Sequence, residues 1–425
     1  MMRLRITASV ACVAALALVV AGCGGDDEGG SGDTLSVWIM EGTNPDSEPF
    51  FDEVAKRFEE ETGATLDVQY VEWADAQKKF SNAIAGGTTP DVAEIGSTWT
   101  PGYSEAGALL DLGSYVDEAG GTDGYVQGLV DAGTYDDALY GMPWYAGVRS
   151  VVYRTDVFEK ANVEPPTSWD ELVQVGEKIQ QAEPDMMAFP VPGVSEYGLD
   201  PFIWGAGGQI AAEEGGQWTS QLDSPEAQEG IDFYTGLATE HGFSTAAAES
   251  WLETDVLDSF TRGDSAMILS GSWTPKTIAE DAPELEGKVG AFPIPGPDGG
   301  MSPSFLGGSH LGIFNDAEDP DLAWTFVQMM TSGEFAKKWW EQSNFFPAEE
   351  SLLEDVIARN DPLVTPFAKQ MVEAGATVPV TPLYEQVQGK ATLTAMLQDI
   401  LSGDASVEDA TASAAEEMNT IFGSE

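Results

Sequence analysis

Thiols are nearly missing from this chain. Its 425 residues hold two cysteines, Cys12 and Cys23, both ahead of residue 34. The body that follows therefore has no disulfide, no thiolate metal site and no cysteine nucleophile. Histidine is as scarce, with only His241 and His310. Two histidines without a thiol argue against a catalytic zinc or copper site. Basic residues are few: 18 Lys+Arg stand against 72 Asp+Glu, a formal net charge of −54 at pH 7. Such a field repels nucleic acid and anionic membrane surfaces, and it weighs against a strongly anionic ligand. Acids spread along every segment read as a solvated surface suited to high salt; the alternative is that they bind cations. After residue 22 there is no apolar run long enough to cross a bilayer.

What is present begins at the N-terminus. Met1–Arg5 carries two arginines, Ile6–Ala21 is almost wholly apolar, and Gly22-Cys23-Gly24-Gly25 follows. A basic start and a short apolar region read as an export signal, too brief to remain as a spanning helix. Val20-Ala21-Gly22-Cys23 resembles the lipobox of bacterial lipoproteins, in which the cysteine thiol is acylated and becomes the new first residue. That resemblance implies a lipoprotein signal peptide over 1–22, lipidation at Cys23 and a protein held at the extracellular face of the cell membrane. Double acylation suffices for stable anchoring. An ordinary cleaved signal is the alternative. Residues 23–33, mostly Gly, Asp, Glu and Ser, form a flexible tether.

The remaining chain, about 400 residues, is long enough for two cores. A hydrophobic content of 42% and 12 tryptophans make it globular rather than disordered. Leu35–Ile39 reads as a strand, Pro45–Thr62 as a helix stopped by Gly63, and Leu66–Tyr70 as a strand. Asp75–Ala85 reads as a helix and Val92–Ile95 as a strand. This alternation is the mark of an open α/β sheet with right-handed crossovers. It resumes at Val151-Val152-Tyr153. Ser168 and Glu171 form a capping-box pattern. Ser224-Pro225 and Asp319-Pro320 open further helices with a cap followed by Pro. Ala266–Leu269 and Val289–Ile294 are strand-like, and Pro293, Pro295 and Pro297 with Gly296, Gly299 and Gly300 read as a stiff connector.

Several segments together resemble the extracellular solute-binding proteins of ABC importers, of the sugar-binding, maltose-binding-protein-like family. They are Thr89–Val92 leading to Ser97-Thr98-Trp99, Leu139–Tyr145, Pro165–Leu172, Phe260–Met267 followed by Gly271-Ser272-Trp273, Gly307–Ile313 and the Ala323–Trp339 helices. Each is weak alone; their order and spacing behind a lipobox carry the resemblance, which covers residues 34–425. It implies two α/β lobes joined by crossing segments, with a hinged interlobe cleft that closes on a ligand. Lobe one would be 34–147 and 290–345, lobe two 148–289 and 346–425. The crossings would fall at Tyr145–Ser150, Gly290–Gly296 and Phe346–Glu349. The implied function is capture of a mono- or oligosaccharide and its delivery to ABC permease subunits with their ATPase. The chain would act as a monomer, without cofactor, touching the membrane only through its lipid. A polyamine or iron complex is the alternative solute, and a secreted glycoside hydrolase the alternative class of protein.

A sugar presents hydroxyls around its rim and C–H faces above and below, so its site needs aromatic plates and a few polar groups. Unpaired polar groups in a dry cleft are costly, which makes their placement specific. At positions where the family places ligand contacts stand Trp273, Trp99, Trp144, Tyr145, Trp204 and Tyr384. For the rim, Glu41, Thr98, Arg149 and Asp91 are candidates, with Ser309 and His310 near a later strand. Asp91 reads equally as the cap of a turn beneath its strand, Arg149 as an ion-pair partner at the hinge, and His310 as a structural hydrogen-bonder. Gly307 and Gly308 leave room for backbone N–H groups to approach a ligand. Trp169, Trp324, Trp339 and Trp340 read as core.

Enzyme signatures are missing. Gly307-Gly308-Ser309-His310-Leu311 lacks the final glycine of a nucleophile elbow. Gly205-Ala206-Gly207-Gly208 lacks the third glycine of a dinucleotide loop. A glycosidase needs two carboxylates, and among 72 acids no spacing picks out a pair.

Overall fold

The computed structural model of the chain describes residues 34–42 and 46–423. The leader, Cys23 and the tether lie outside them. In chain order the strands that frame the molecule are β1 (Thr34–Glu41), β2 (Thr65–Glu72), β3 (Val92–Gly96), β4 (Gly141–Gly147), β5 (Arg149–Arg154), β6 (Met267–Gly271), β7 (Val289–Phe292), β8 (Gly307–Ile313) and β9 (Phe346–Pro347). The helices that bear on the site are α1 (Glu48–Thr62), α2 (Trp73–Gly86), α3 (Thr100–Glu105), α4 (Trp169–Ala182), α5 (Glu196–Gly205), α6 (Pro225–Thr239), α7 (Pro320–Thr331), α8 (Gly333–Ser343) and α9 (Pro382–Gly389).

Two sheets result. The first runs β9-β4-β8-β3-β1-β2; β1 lies parallel to β2 and β3, and β8 runs antiparallel to β3 and β4. The second runs β6-β5-β7, with β5 antiparallel to both neighbours. Each sheet has its own core. Val37, Ile39, Phe51, Phe58 and Trp144 pack with α7 and α8 on one face of the first sheet, and Trp38, Phe80 and Phe314 fill the other. Trp169, Phe202, Tyr234 and Met418 lie in the core beside the second.

Local chemistry sets the helix ends. Ser224 Oγ accepts from Ala227 N, and Asp319 Oδ1 accepts from Leu322 N at 3.0 Å. Each satisfies a backbone donor that the first turn leaves open. Ser168 Oγ accepts from Glu171 N, but Glu171 does not return the bond to Ser168. Its carboxylate accepts instead from the N–H and hydroxyl of Thr167, both at 2.8 Å. Gly63, at φ +76°, ends α1 in the left-handed region where a side chain strains.

The chain passes from the first sheet to the second at Gly147–Arg149, where β4 ends and β5 begins. The expected return at Gly290–Gly296 is not where the chain crosses. β7 pairs with β5, Gly296 bonds Gly300 in a tight reversal, and Trp169 N donates to Gly296 O. Residues 290–303 therefore stay with the second sheet, and the return runs through Ser304–Gly307 into β8. The prolines and glycines taken for a connector build that reversal. A third passage follows β9, which pairs with β4.

Replacing Asp319 with Ala should lower stability by about 1 kcal/mol, the usual worth of such a cap. The urea midpoint would fall; an unchanged midpoint would show that the cap contributes nothing.

Candidate functional site

A cavity of about 390 Å³ lies between the two sheets, within the range of small-molecule sites. The first-sheet side supplies Trp73, Trp99, Tyr145 and Phe345, and the second-sheet side Tyr197, Trp273 and Phe305. A larger groove of about 690 Å³ lies elsewhere, beside Val116, Trp324 and Glu354. It presents two rings, Tyr125 and Trp324, with three glutamates and no basic side chain. The interlobe cavity has the greater density of rings and the mixed polar lining that ligand recognition requires.

Trp273 forms the floor. It is 5% exposed, and its indole N–H is buried without a partner. The ring lies on bare backbone: a methyl group at Gly271 would sit 2.1 Å from Trp273 Cη2, and one at Gly147 3.1 Å from Cζ3. Both glycines end strands, so the indole reaches the junction of the sheets only because neither carries a side chain. Phe345 packs on it at 4.7 Å, and Tyr145 stacks on Phe345 at 4.1 Å. Trp73 and Trp99 form a tilted pair 5.6 Å apart at the mouth.

Arg149 is buried and held by Glu253, with Nη2 donating to Oε2 at 2.8 Å and Nε to both carboxylate oxygens. Its guanidinium lies over the Tyr197 ring at 4.5 Å. Glu196 accepts from Gln388 Nε2, which also meets Tyr197 OH at 3.1 Å. Burial pushes the Glu196 carboxyl up, against the pull of these hydrogen bonds and of Arg149.

Glu94 lies beneath the opposite wall at 1% exposure. Oε2 accepts from Met40 N at 2.8 Å; Oε1 accepts from Ser309 Oγ at 2.7 Å and from the Tyr145 hydroxyl. One carboxyl thus ties β1, β3, β4 and β8 together. Burial raises its pKa from 4.5 to about 7, with the three hydrogen bonds resisting.

The halves touch across the mouth. The Thr98 hydroxyl bonds the Tyr197 phenol, and Gln77 Nε2 donates to Glu385 Oε1 at 3.4 Å. α9 packs on α3 closely enough that a methyl at Gly102 would lie 3.1 Å from Glu385 Cβ. The conformation is closed.

Of the residues picked out from sequence, Trp273, Trp99, Tyr145, Thr98, Arg149 and Ser309 line the cavity. The others lie elsewhere. Trp144 is the extra residue of a bulge, since Ser309 pairs with Tyr145 but His310 with Pro143. Its indole turns into the first core and stacks on Trp339 at 5.0 Å. Asp91 accepts from Ser36 N, Ser36 Oγ and Glu318 N, which makes it a clasp between segments. His310 is fully buried between Thr100 Oγ1 and Leu129 O, and burial lowers its pKa to about 4, so it stays neutral. Trp204 packs against the second core. Tyr384 is buried there without bordering the cavity. Glu41 ends β1 outside the lining; Ser47 donates to it at 3.4 Å, and burial and then Glu72 raise its pKa.

Sequence reasoning missed Trp73, Gln77, Tyr197, Glu253, Phe305, Phe345 and Gln388. Trp73 had a readable signal, because it follows directly on a strand end, where open α/β sheets place ligands. Tyr197 and Gln388 had none, since only the packing of α5 against α9 turns them inward.

A profile for the bacterial extracellular solute-binding proteins matches residues 43–337. The chain is 28% identical over 413 residues to the diacetylchitobiose binding protein DasA of Streptomyces coelicolor, covering 92% of this chain and 94% of that one. It is 22% identical to the arabinooligosaccharide-binding protein of Bacillus subtilis, covering 78% and 77%. An ABC transporter solute binding protein from Thermotoga lettingae, solved with α-D-tagatose, superposes with a TM-score of 0.84 at 27% identity, over 92% of this chain and all of that one.

Glu94→Gln isolates one titration. Its carboxyl ionises near 4.5 when unfolded and near 7 when folded. The native state therefore holds the extra proton between those values, and stability falls as pH rises through that window. The variant lacks this loss, so the stability difference between wild type and variant should change by up to ~3 kcal/mol from pH 4.5 to 7 and then level off. Parallel curves in urea titrations across that range would contradict the assignment.

Proposed function

Because this chain belongs to the family of bacterial extracellular solute-binding proteins, we propose that it is the substrate-binding component of an ABC sugar importer. It captures a mono- or oligosaccharide in the cleft between its lobes and passes it intact to membrane permease subunits. The observation that carries this reading is the cavity walled by rings from both sheets, with the Trp273 N–H unpaired at its floor. Aromatic faces suit the C–H faces of a pyranose, and a buried unpaired donor suits a sugar oxygen. The names of the relatives point the same way: diacetylchitobiose, arabinooligosaccharide and α-D-tagatose are carbohydrates.

In this reading Trp73 and Trp99 clamp one sugar face while Trp273 and Tyr197 close on the other. Thr98, Ser309 and the Arg149–Glu253 pair supply the polar rim. Trp144, Asp91, His310, Trp204 and Tyr384 support the walls without touching ligand, and Glu41 stands at the outer rim. The lobes are 34–147 with 306–347 and 148–305 with 348–423. Acylation at Cys23 holds a monomer at the extracellular face of the membrane.

The test is a thermal-shift panel of diacetylchitobiose, arabinobiose, maltose, lactose and tagatose, with the sugar recovered afterwards. One class should raise the melting temperature by mass action and return unchanged. No shift with any carbohydrate would remove the reading, and cleavage products would replace it with a hydrolase. Trp273→Ala should weaken the binding sugar at least tenfold in a calorimetric titration while the protein stays folded. Unchanged affinity would take Trp273 out of the site.

A further inference from the structure

Behind the second-sheet wall of the cleft, five buried oxygens have no hydrogen-bond partner: Asp200 Oδ1 and Oδ2, Tyr234 OH, Tyr384 OH and Gln388 Oε1. They belong to three helices that converge. Glu196 and Asp200 stand one turn apart on α5, and Tyr384 and Gln388 one turn apart on α9. Gln388 Nε2 bonds Glu196, which sets the two turns side by side. Tyr234 comes from α6, its ring stacked on Phe202 at 4.8 Å. Its hydroxyl approaches α5 closely enough that a methyl at Gly198 would lie 2.7 Å away. Both phenols lie within Coulombic reach of the Asp200 carboxyl.

The charges around these oxygens do not balance. Glu196, Asp200 and Glu253 are near one cation, Arg149, and Glu253 already accepts from both Nε and Nη2 of that guanidinium. Asp200 is 0% exposed. A carboxylate buried with neither donor nor counter-ion is strongly unfavourable. Burial and the Glu196 charge both push the Asp200 carboxyl well above its ordinary range, with Arg149 pulling the other way. Something must either neutralise the group or ligate it.

We propose that this cluster of oxygens binds one small monovalent cation, sodium or potassium, through Asp200 and the oxygens of Gln388, Tyr234 and Tyr384. The unpaired atoms are all oxygens, the donor type that hard cations take. Of the four side chains that hold these unpartnered oxygens, only Asp200 is a carboxylate, so the charge they offer suits a monovalent rather than a divalent ion. Glu196, Tyr197 and Gln388 line the cleft itself. The cation thereby braces the wall against which a ligand closes. The site goes beyond the sugar reading and stands or falls separately from it.

The experiment is thermal unfolding of the ligand-free wild type at pH 8 in NaCl, KCl and choline chloride at equal ionic strength. Choline matches the screening of the acidic surface but, as a quaternary ammonium, does not take oxygen ligands as a bare hard cation does. Melting in NaCl or KCl should lie a few degrees above melting in choline chloride, with a saturable dependence on the small cation. Asp200→Asn should abolish that difference, and Tyr234→Phe, which removes one ligand and keeps the ring, should move the saturation midpoint to higher salt. Equilibrium dialysis with radiolabelled sodium should find one more bound ion per chain in wild type than in Asp200→Asn. Equal melting of the wild type in all three salts would overturn the proposal and leave water or a shared proton among these oxygens. A salt difference that survives in both variants would overturn it as well.

Discussion

The indole of Trp273 lies across two strand ends that carry no side chains, and the cleft is organised around that contact. Gly147 closes the last strand before the chain leaves the first sheet, and Gly271 closes an edge strand of the second. A methyl at either would meet the ring at 3.1 or 2.1 Å. The ring is thus held where the sheets meet, against Phe345 from the first and beneath Arg149 from the second. Any relative rotation of the sheets moves its surroundings. A binding floor at the pivot senses both halves at once, and this links ligand contact to closure.

The walls rest on buried charge. On one side Glu94 ties four strands and orients Tyr145 and Ser309 toward the cavity. On the other, Arg149 is fixed by Glu253 and lies over Tyr197, while Gln388 of α9 joins Glu196 to Tyr197. Tyr145, Ser309, Arg149 and Tyr197 are therefore each held by another side chain. Such networks are costly to leave half satisfied, and they fix side-chain direction before a ligand arrives.

Much of the fold was legible in the sequence because it is set locally. Ser224 and Asp319 announce helix starts through side-chain oxygens, and each caps as its neighbours imply. The first five elements follow from apolar spacing, with ends displaced by a few residues. The second passage between sheets was not legible, because proline and glycine mark a tight reversal as readily as a connector, and only the pairing of Val289–Phe292 with β5 separates the two. The candidate site divides along the same line. Trp273 and Trp99 stand directly after strands, where position alone points to a cleft. Trp144 and Tyr145 are neighbours whose fates part at a bulge that no spacing reveals. Tyr197, Glu253 and Gln388 reach the cavity only through packing between helices distant in sequence.

The most direct measurement is a crystal structure grown with the sugar that gives the largest thermal shift. The expected result is a sugar ring lying on Trp273, its other face toward Trp73 and Trp99, with the Trp273 N–H bonded to a sugar oxygen and the lobes closed. Sugar bound instead in the groove beside Val116, Trp324 and Glu354, with the interlobe cavity holding only water, would contradict it.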